Sequence, residues 1–225
     1  MLRLLIAFIC LSFSYSSVIA QDSIKTKPIK HAEIFLGYSI NSYGGDLSGF
    51  GKLNSAFNVG VLFNNRKRIS GEINIRIGRV IAESLNERSP IESFVSNNYF
   101  SINYGANIRL YQWKQQLSFH LTPGFGIINH NPRDVDNNEL ISIGSTRNRD
   151  EEYGRIAIIL PVKFGIKYHT PYRLHFGIEF GFLNTRTDYL DNVSQLIDDS
   201  NRDNIFFTNF IISTDLRKKD NNKKL

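Results

Sequence analysis

The feature that most constrains this sequence is an alternation of apolar and polar side chains with a period of two. It recurs in eight runs long enough to cross a bilayer as tilted strands. A strand sends successive side chains to opposite faces, so the alternation defines two surfaces for each run. In residues 32–41, Ala32, Ile34, Leu36, Tyr38 and Ile40 oppose Glu33, Phe35, Gly37, Ser39 and Asn41. The next run sets Phe57, Val59, Val61 and Phe63 against Asn58, Gly60 and Asn64. In the third, Ile69, Ile73, Ile75 and Ile77 face away from Arg68, Ser70, Glu72, Asn74 and Arg76. The same pattern continues through residues 100–110, 117–127, 155–168 and 173–182. Residues 204–216 admit either phase, and Phe206, Phe210 and Ile212 are expected to face outward.

Eight amphipathic strands also suit a soluble sandwich or a lipocalin-like barrel, with the apolar face turned inward. Three features favour the inverse. The polar faces mix glycine and small polar residues with bulky charges, which suits the crowded interior of a narrow barrel. The runs are about 10–14 residues long, against a globular mode of ~5–6. Short connections at 64–67, 112–116 and 169–172 alternate with long ones at 42–53, 80–95, 130–152 and 187–203, as in outer-membrane barrels. Tyr38, Phe63, Tyr104, Trp113 and Tyr168 are expected near strand ends, where aromatic girdles lie. No run after residue 20 approaches twenty apolar residues, which excludes membrane-spanning helices. The expected fold is all-β: an eight-stranded antiparallel up-and-down transmembrane β-barrel over residues 31–216.

Residues 1–20 read as a signal peptide: Arg3, an apolar core over 4–11, and Val18-Ile19-Ala20 before Gln21. Cys10, the only cysteine, lies inside that core and not at a lipoprotein cleavage point, so the mature chain has no disulfide. Residues 21–30 are expected to be a periplasmic lead, and 217–225 a basic periplasmic tail. Losing Arg3 lowers the net charge of +6 by one, and Arg217, Lys218, Lys219, Lys223 and Lys224 concentrate the surplus in the tail. A solvated terminus is the bland account of that tail, and a contact for a periplasmic protein is the functional one. The expected partners are outer-membrane lipid and such a protein, with no nucleic acid.

Enzyme chemistry has little support. No cofactor motif, metal cluster or nucleophile elbow is present, and the paired glycines such as Gly124 and Gly126 fit strand spacing. Ser118 and His120 share a face and define the alternative reading, a lipid-modifying hydrolase. Glu72 or Glu179 would have to orient the base. The inward-facing Arg68, Arg76, Arg109, Arg155, Lys163, Lys167 and Arg173 outnumber Glu33, Glu72 and Glu179. Buried charges need partners, so these groups are expected to plug the barrel, with the excess cations at its watery mouths. Asp188, Asp191, Asp198 and Asp199 match no calcium-loop spacing and are expected to cap a turn, with Tyr189 and Leu190 packed over the barrel's mouth.

Several segments carry a resemblance: LTPGFGIINHNPRD from residue 121, PVKFGIKYH from 161, and Thr187-Asp188-Tyr189-Leu190-Asp191-Asn192-Val193-Ser194. Tyr43-Gly44-Gly45-Asp46-Leu47 adds a fourth. Together they resemble the Bacteroidetes outer-membrane barrels that include PorG-like components of the type IX secretion system. The chain departs from that pattern at Asn192 and at Leu160-Pro161-Val162-Lys163. The resemblance implies a non-enzymatic barrel that anchors or assists an envelope-spanning assembly.

Overall fold

The computed structural model describes residues 31–44, 52–65, 67–83, 94–114, 116–140, 154–185, 190 and 203–216. The expected leader and lead over 1–30 and the basic tail over 217–225 lie outside the described residues. So do Thr187, Asp188, Tyr189, Asp191 and Ser194 of the motif after the seventh strand.

The eight runs form eight strands: β1 (Ala32–Gly44), β2 (Leu53–Phe63), β3 (Ile69–Glu83), β4 (Phe94–Trp113), β5 (Leu117–Arg133), β6 (Ile156–His169), β7 (Leu174–Thr185) and β8 (Asn204–Leu216). Each pairs antiparallel with its neighbour in sequence, and β8 pairs back on β1 to close the barrel. Closure leaves no open edge, so each strand has a ladder partner on both sides. Both ends of the sheet, Ala32 and Leu216, are paired at the short-turn end. Asn64 (φ 59°) and Lys114 (φ 47°) adopt left-handed backbone in two of the short turns. The register of β4 on β5 shifts between Arg109 and Tyr111, which leaves Leu110 as the extra residue of a bulge.

The expected faces hold, including the favoured phase of β8: Phe206, Phe210 and Ile212 are exposed while Ile205, Phe207 and Ile211 are buried. Large apolar side chains cover the outside, among them Leu36 at 64%, Phe57 at 66% and Ile77 at 60% exposure. Glu33, Glu72, Arg76, Lys163 and Glu179 are buried inside. A wall that is apolar outward and charged inward inverts the soluble pattern and presents the surface that lipid solvates.

Two expectations need correction. The strands run further toward the long loops than the alternation reached, because β3 continues to Glu83, β4 begins at Phe94 and β5 continues to Arg133. In that upper zone the inward residues turn apolar. Tyr43, Val80, Val95, Tyr99, Ile128, Leu140, Ile159, Leu183, Leu190, Ile205 and Phe207 form one buried cluster. On β3 to β5 the outward residues of that zone turn polar, with Arg79, Asn98 and Asn129 exposed opposite buried Val80, Tyr99 and Ile128, so the alternation changes sense and the sequence looks like the start of a loop. For the same reason Tyr38 and Tyr104, expected near strand ends, lie well inside β1 and β4. Trp113, Phe63 and Tyr168 do sit at or next to the short-turn ends of their strands. Tyr104 instead covers Gly71 on the neighbouring strand, where a Cβ would stand 2.7 Å from its hydroxyl.

Candidate functional site

The lumen holds most of the polar chemistry, so its layers decide what the barrel can do. An eight-stranded barrel has room for side chains and little else. At mid-height Lys163 of β6 reaches across to two walls. Its Nζ donates to Glu72 Oε1 of β3 at 2.5 Å and to both carboxylate oxygens of Glu179 of β7 at 3.0 Å. Asn209 Nδ2 donates to Glu179 at 3.0 Å, and Asn209 Oδ1 accepts from Ser39 at 2.6 Å and from Arg76 at 3.2 Å. Arg76 lies under the apolar cluster with its guanidinium carbon 3.8 Å from the centre of the Phe207 ring. Asn41 accepts from Arg76 at 3.5 Å and donates to the Tyr99 hydroxyl at 2.6 Å, tying this ionic layer to the cap above it.

The cap is closed by two residues from the long connections, Leu140 and Leu190, both fully buried. Leu190 is held through its backbone: its N–H donates to Asp203 Oδ2 at 2.8 Å and its carbonyl accepts from Asn97 at 2.6 Å. The Tyr43 hydroxyl donates to the other oxygen of Asp203. Leu190 therefore packs over the mouth as expected. Asp203, a residue the sequence did not single out, holds Leu190 in place, and the expected turn-capping residues Asp188, Asp191, Asp198 and Asp199 lie outside the described residues.

The short-turn end carries a second polar layer. Lys167 pairs with Glu33 at 2.6 Å, and Asn65 donates to Glu33 at 3.4 Å and to Asp215 at 2.6 Å. His175 Nε2 lies 3.6 Å from Asp215. Three lumenal cations, Arg76, Lys163 and Lys167, thus meet three glutamates, Glu33, Glu72 and Glu179, within the buried layers. The surplus cations stand at the mouths, with Arg68, Arg155 and Arg173 exposed and Arg109 half-buried. Arg155 and Arg133 share Glu139 above the long-loop end at 3.1 and 3.4 Å. There the Asn131 amide, then Arg155 and Arg133, hold the Glu139 carboxyl below its usual range, and Asn138 does the same for Asp134.

Ser118 and His120 both face this lumen, but they do not form a nucleophile–base pair. Ser118 Oγ bonds His169 Nε2 at 2.9 Å, and His169 stacks edge-on against His175 with ring centroids 4.9 Å apart. His120 packs against the backbone of β6, where a Cβ on Gly165 would lie 2.7 Å from its ring. Both residues are buried behind the wall, away from the lipid face where an acyl substrate would approach. Neither Glu72 nor Glu179 orients them, since both carboxylates are committed to Lys163. His120→Ala is expected to leave the cell's lipid A profile unchanged, with the barrel still folded. Mass spectrometry of extracted lipid A would detect an altered acylation pattern, which would restore the hydrolase reading.

No protein-family model matches the chain, and no curated protein matches it in sequence. Among solved structures the barrel is similar to Neisserial surface protein A, with a TM-score of 0.54 and 6% identity over 81% of this chain and 96% of that one. It is also similar to Ail, the attachment invasion locus protein of Yersinia pestis, in complex with the heparin analogue sucrose octasulfate. There the TM-score is 0.50 and the identity 11%, over 83% of this chain and 98% of that one. At such identities the likeness is one of fold: the closed eight-stranded barrel of outer-membrane proteins.

Proposed function

We propose that this chain is an exported outer-membrane barrel, neither pore nor enzyme, that anchors or assists an envelope-spanning assembly. The observation carrying this reading is the filled lumen. Ion pairs occupy the middle and the short-turn end, and an apolar cap occupies the long-loop end. A narrow barrel filled in this way by the described residues leaves little room for an aqueous path, so its working surfaces are those it presents on either side of the membrane. In planar bilayers the purified protein should give no stable conductance steps. Regular channel openings would overturn the reading.

The more specific assignment, a PorG-like component of type IX secretion, is supported by the segment resemblance around residues 121–194. In this reading the mature chain begins near Gln21, the short turns face the periplasm and the long loops face outward. β8 ends at the short-turn end, so the tail beginning at Arg217 starts on the periplasmic side. Five cations in nine residues suit an acidic periplasmic partner. Changing Arg217, Lys218, Lys219, Lys223 and Lys224 to Gln should reduce recovery of co-purifying periplasmic protein from native membranes at low salt. The difference should shrink as salt rises, because exposed charges are screened over ~8–10 Å at physiological ionic strength. Equal recovery from both forms at low salt would place the contact on the turns instead.

A further inference from the structure

We propose that the outer wall carries a binding site for a phosphorylated glycolipid of the outer leaflet, where Arg79 stands above Phe57, Ile77 and Phe100. The inference rests on the membrane placement proposed above. Strand register sets the geometry. Phe57 pairs with Ile77, Ile77 with Phe100 and Phe100 with Asn129, forming one outward-facing row across β2 to β5. The next row toward the long loops is polar: Arg79 pairs with Asn98, and Ser55 lies one residue beyond the Ala56–Gly78 pair. From Ile69 to Ile77 the outer face of β3 carries no charge. That stretch is about 27 Å of strand and about 21 Å of height at a ~40° tilt, close to the ~25 Å apolar band of such barrels. Arg79 therefore stands where the band ends and headgroups begin.

A groove of about 460 Å³ opens at this boundary, lined by Phe57, Ile77, Phe100 and Asn129 of the lower row and by Ser55, Arg79 and Asn98 above. Among the described residues the guanidinium is oriented by one hydrogen bond and paired with no carboxylate. Arg79 Nε donates to Ser96 Oγ at 2.6 Å, and its two terminal nitrogens have no partner among the described residues. Among the described residues toward the long-loop end, Glu83 is engaged by Lys52, and Glu139 by Arg133 and Arg155. An arginine fixed at Nε, with no partner for its fork among the described residues, is arranged for bidentate phosphate binding. Amide and hydroxyl groups flank it at the height of a sugar headgroup, and the apolar row beneath it can take an acyl chain.

The test refolds the full mature chain into phosphatidylcholine vesicles doped with lipid A, or with lipid A stripped of its phosphates. Lipid retained after detergent extraction is counted by native mass spectrometry. The wild type should keep the phosphorylated form about tenfold better than the stripped one, and Arg79→Gln should remove that preference, as expected for one charge-assisted contact. Arg79→Lys should keep part of it. Arg133→Gln, which removes an outward cation one row higher, should leave it intact. Heat-modifiable gel mobility reports folding separately. A chain that never folds into vesicles refutes the membrane placement itself. A folded wild type that retains both lipids equally, or loses the phosphorylated one to millimolar inorganic phosphate, refutes the glycolipid site alone.

Discussion

Lys163→Met should destabilise the barrel by about 3–5 kcal/mol, the usual cost of removing one partner from a buried ionic group. Lys163 is 5% exposed and is the cation shared by Glu72 and Glu179. Without it two carboxylates would face each other inside the wall, with only Asn209 still donating to Glu179. The neutral triple variant Lys163→Met, Glu72→Gln, Glu179→Gln should lose less than the single one, because no unpaired charge remains. Urea unfolding of the refolded protein, followed by the fluorescence of Trp113, the only tryptophan, reads both. A single variant as stable as wild type would show that water reaches this layer and that the lumen is not sealed.

Ile75→Arg should cost about 2–4 kcal/mol, the depth-dependent penalty for a cation on the lipid face near mid-bilayer. Ile75 lies between Val59 and Ile102 in an outward apolar row, with no polar neighbour for an arginine to reach. Its sequence neighbour Asn74 points inward, and its side-chain oxygen has no partner among the described residues. Asn74→Ser should therefore cost under about 1 kcal/mol, within the range of mild substitutions. Equal losses in refolding yield and urea midpoint for the two variants would contradict the assignment of faces.

Most of the barrel was legible in the sequence because lipid and lumen differ sharply wherever a strand crosses the membrane. Ile73, Ile75 and Ile77 against Glu72, Asn74 and Arg76 leave no choice of phase. Legibility fails where that contrast disappears. Ile205-Phe206-Phe207 and Phe210-Ile211-Ile212 are apolar on both faces, because Ile205 and Phe207 join the cap and Ile211 packs in the lumen below Asn209, so β8 offered two phases. A different change hid the upper ends of β3 and β5, where the inward face turns apolar and the outward face polar, as at Val80 against Arg79 and Ile128 against Asn129. The lumenal charges were visible as residues, but their partners were not. Lys163 and Glu72 are 91 residues apart and Lys167 and Glu33 are 134 apart, pairings that only closure creates. Arg79 was passed over because a charge just past an alternating run reads as the beginning of a loop. Its meaning depends on the register that sets it level with Asn98.

Those cross-lumen pairs also bear on the order of assembly. Lys163 and Lys167 of the sixth strand pair with carboxylates on the third, seventh and first strands, and only the seventh is its neighbour in the sheet. A partly formed, open sheet cannot bring Lys167 to Glu33, so before closure both would lie bare on one face. Such a sheet can be tolerated in water or against a chaperone, but a bilayer core would reject it at several kcal/mol per charge. Insertion and closure are thereby coupled. The last pairing of β8 on β1 and the burial of these charges belong to a single late event, and no half-curled barrel can wait in the membrane.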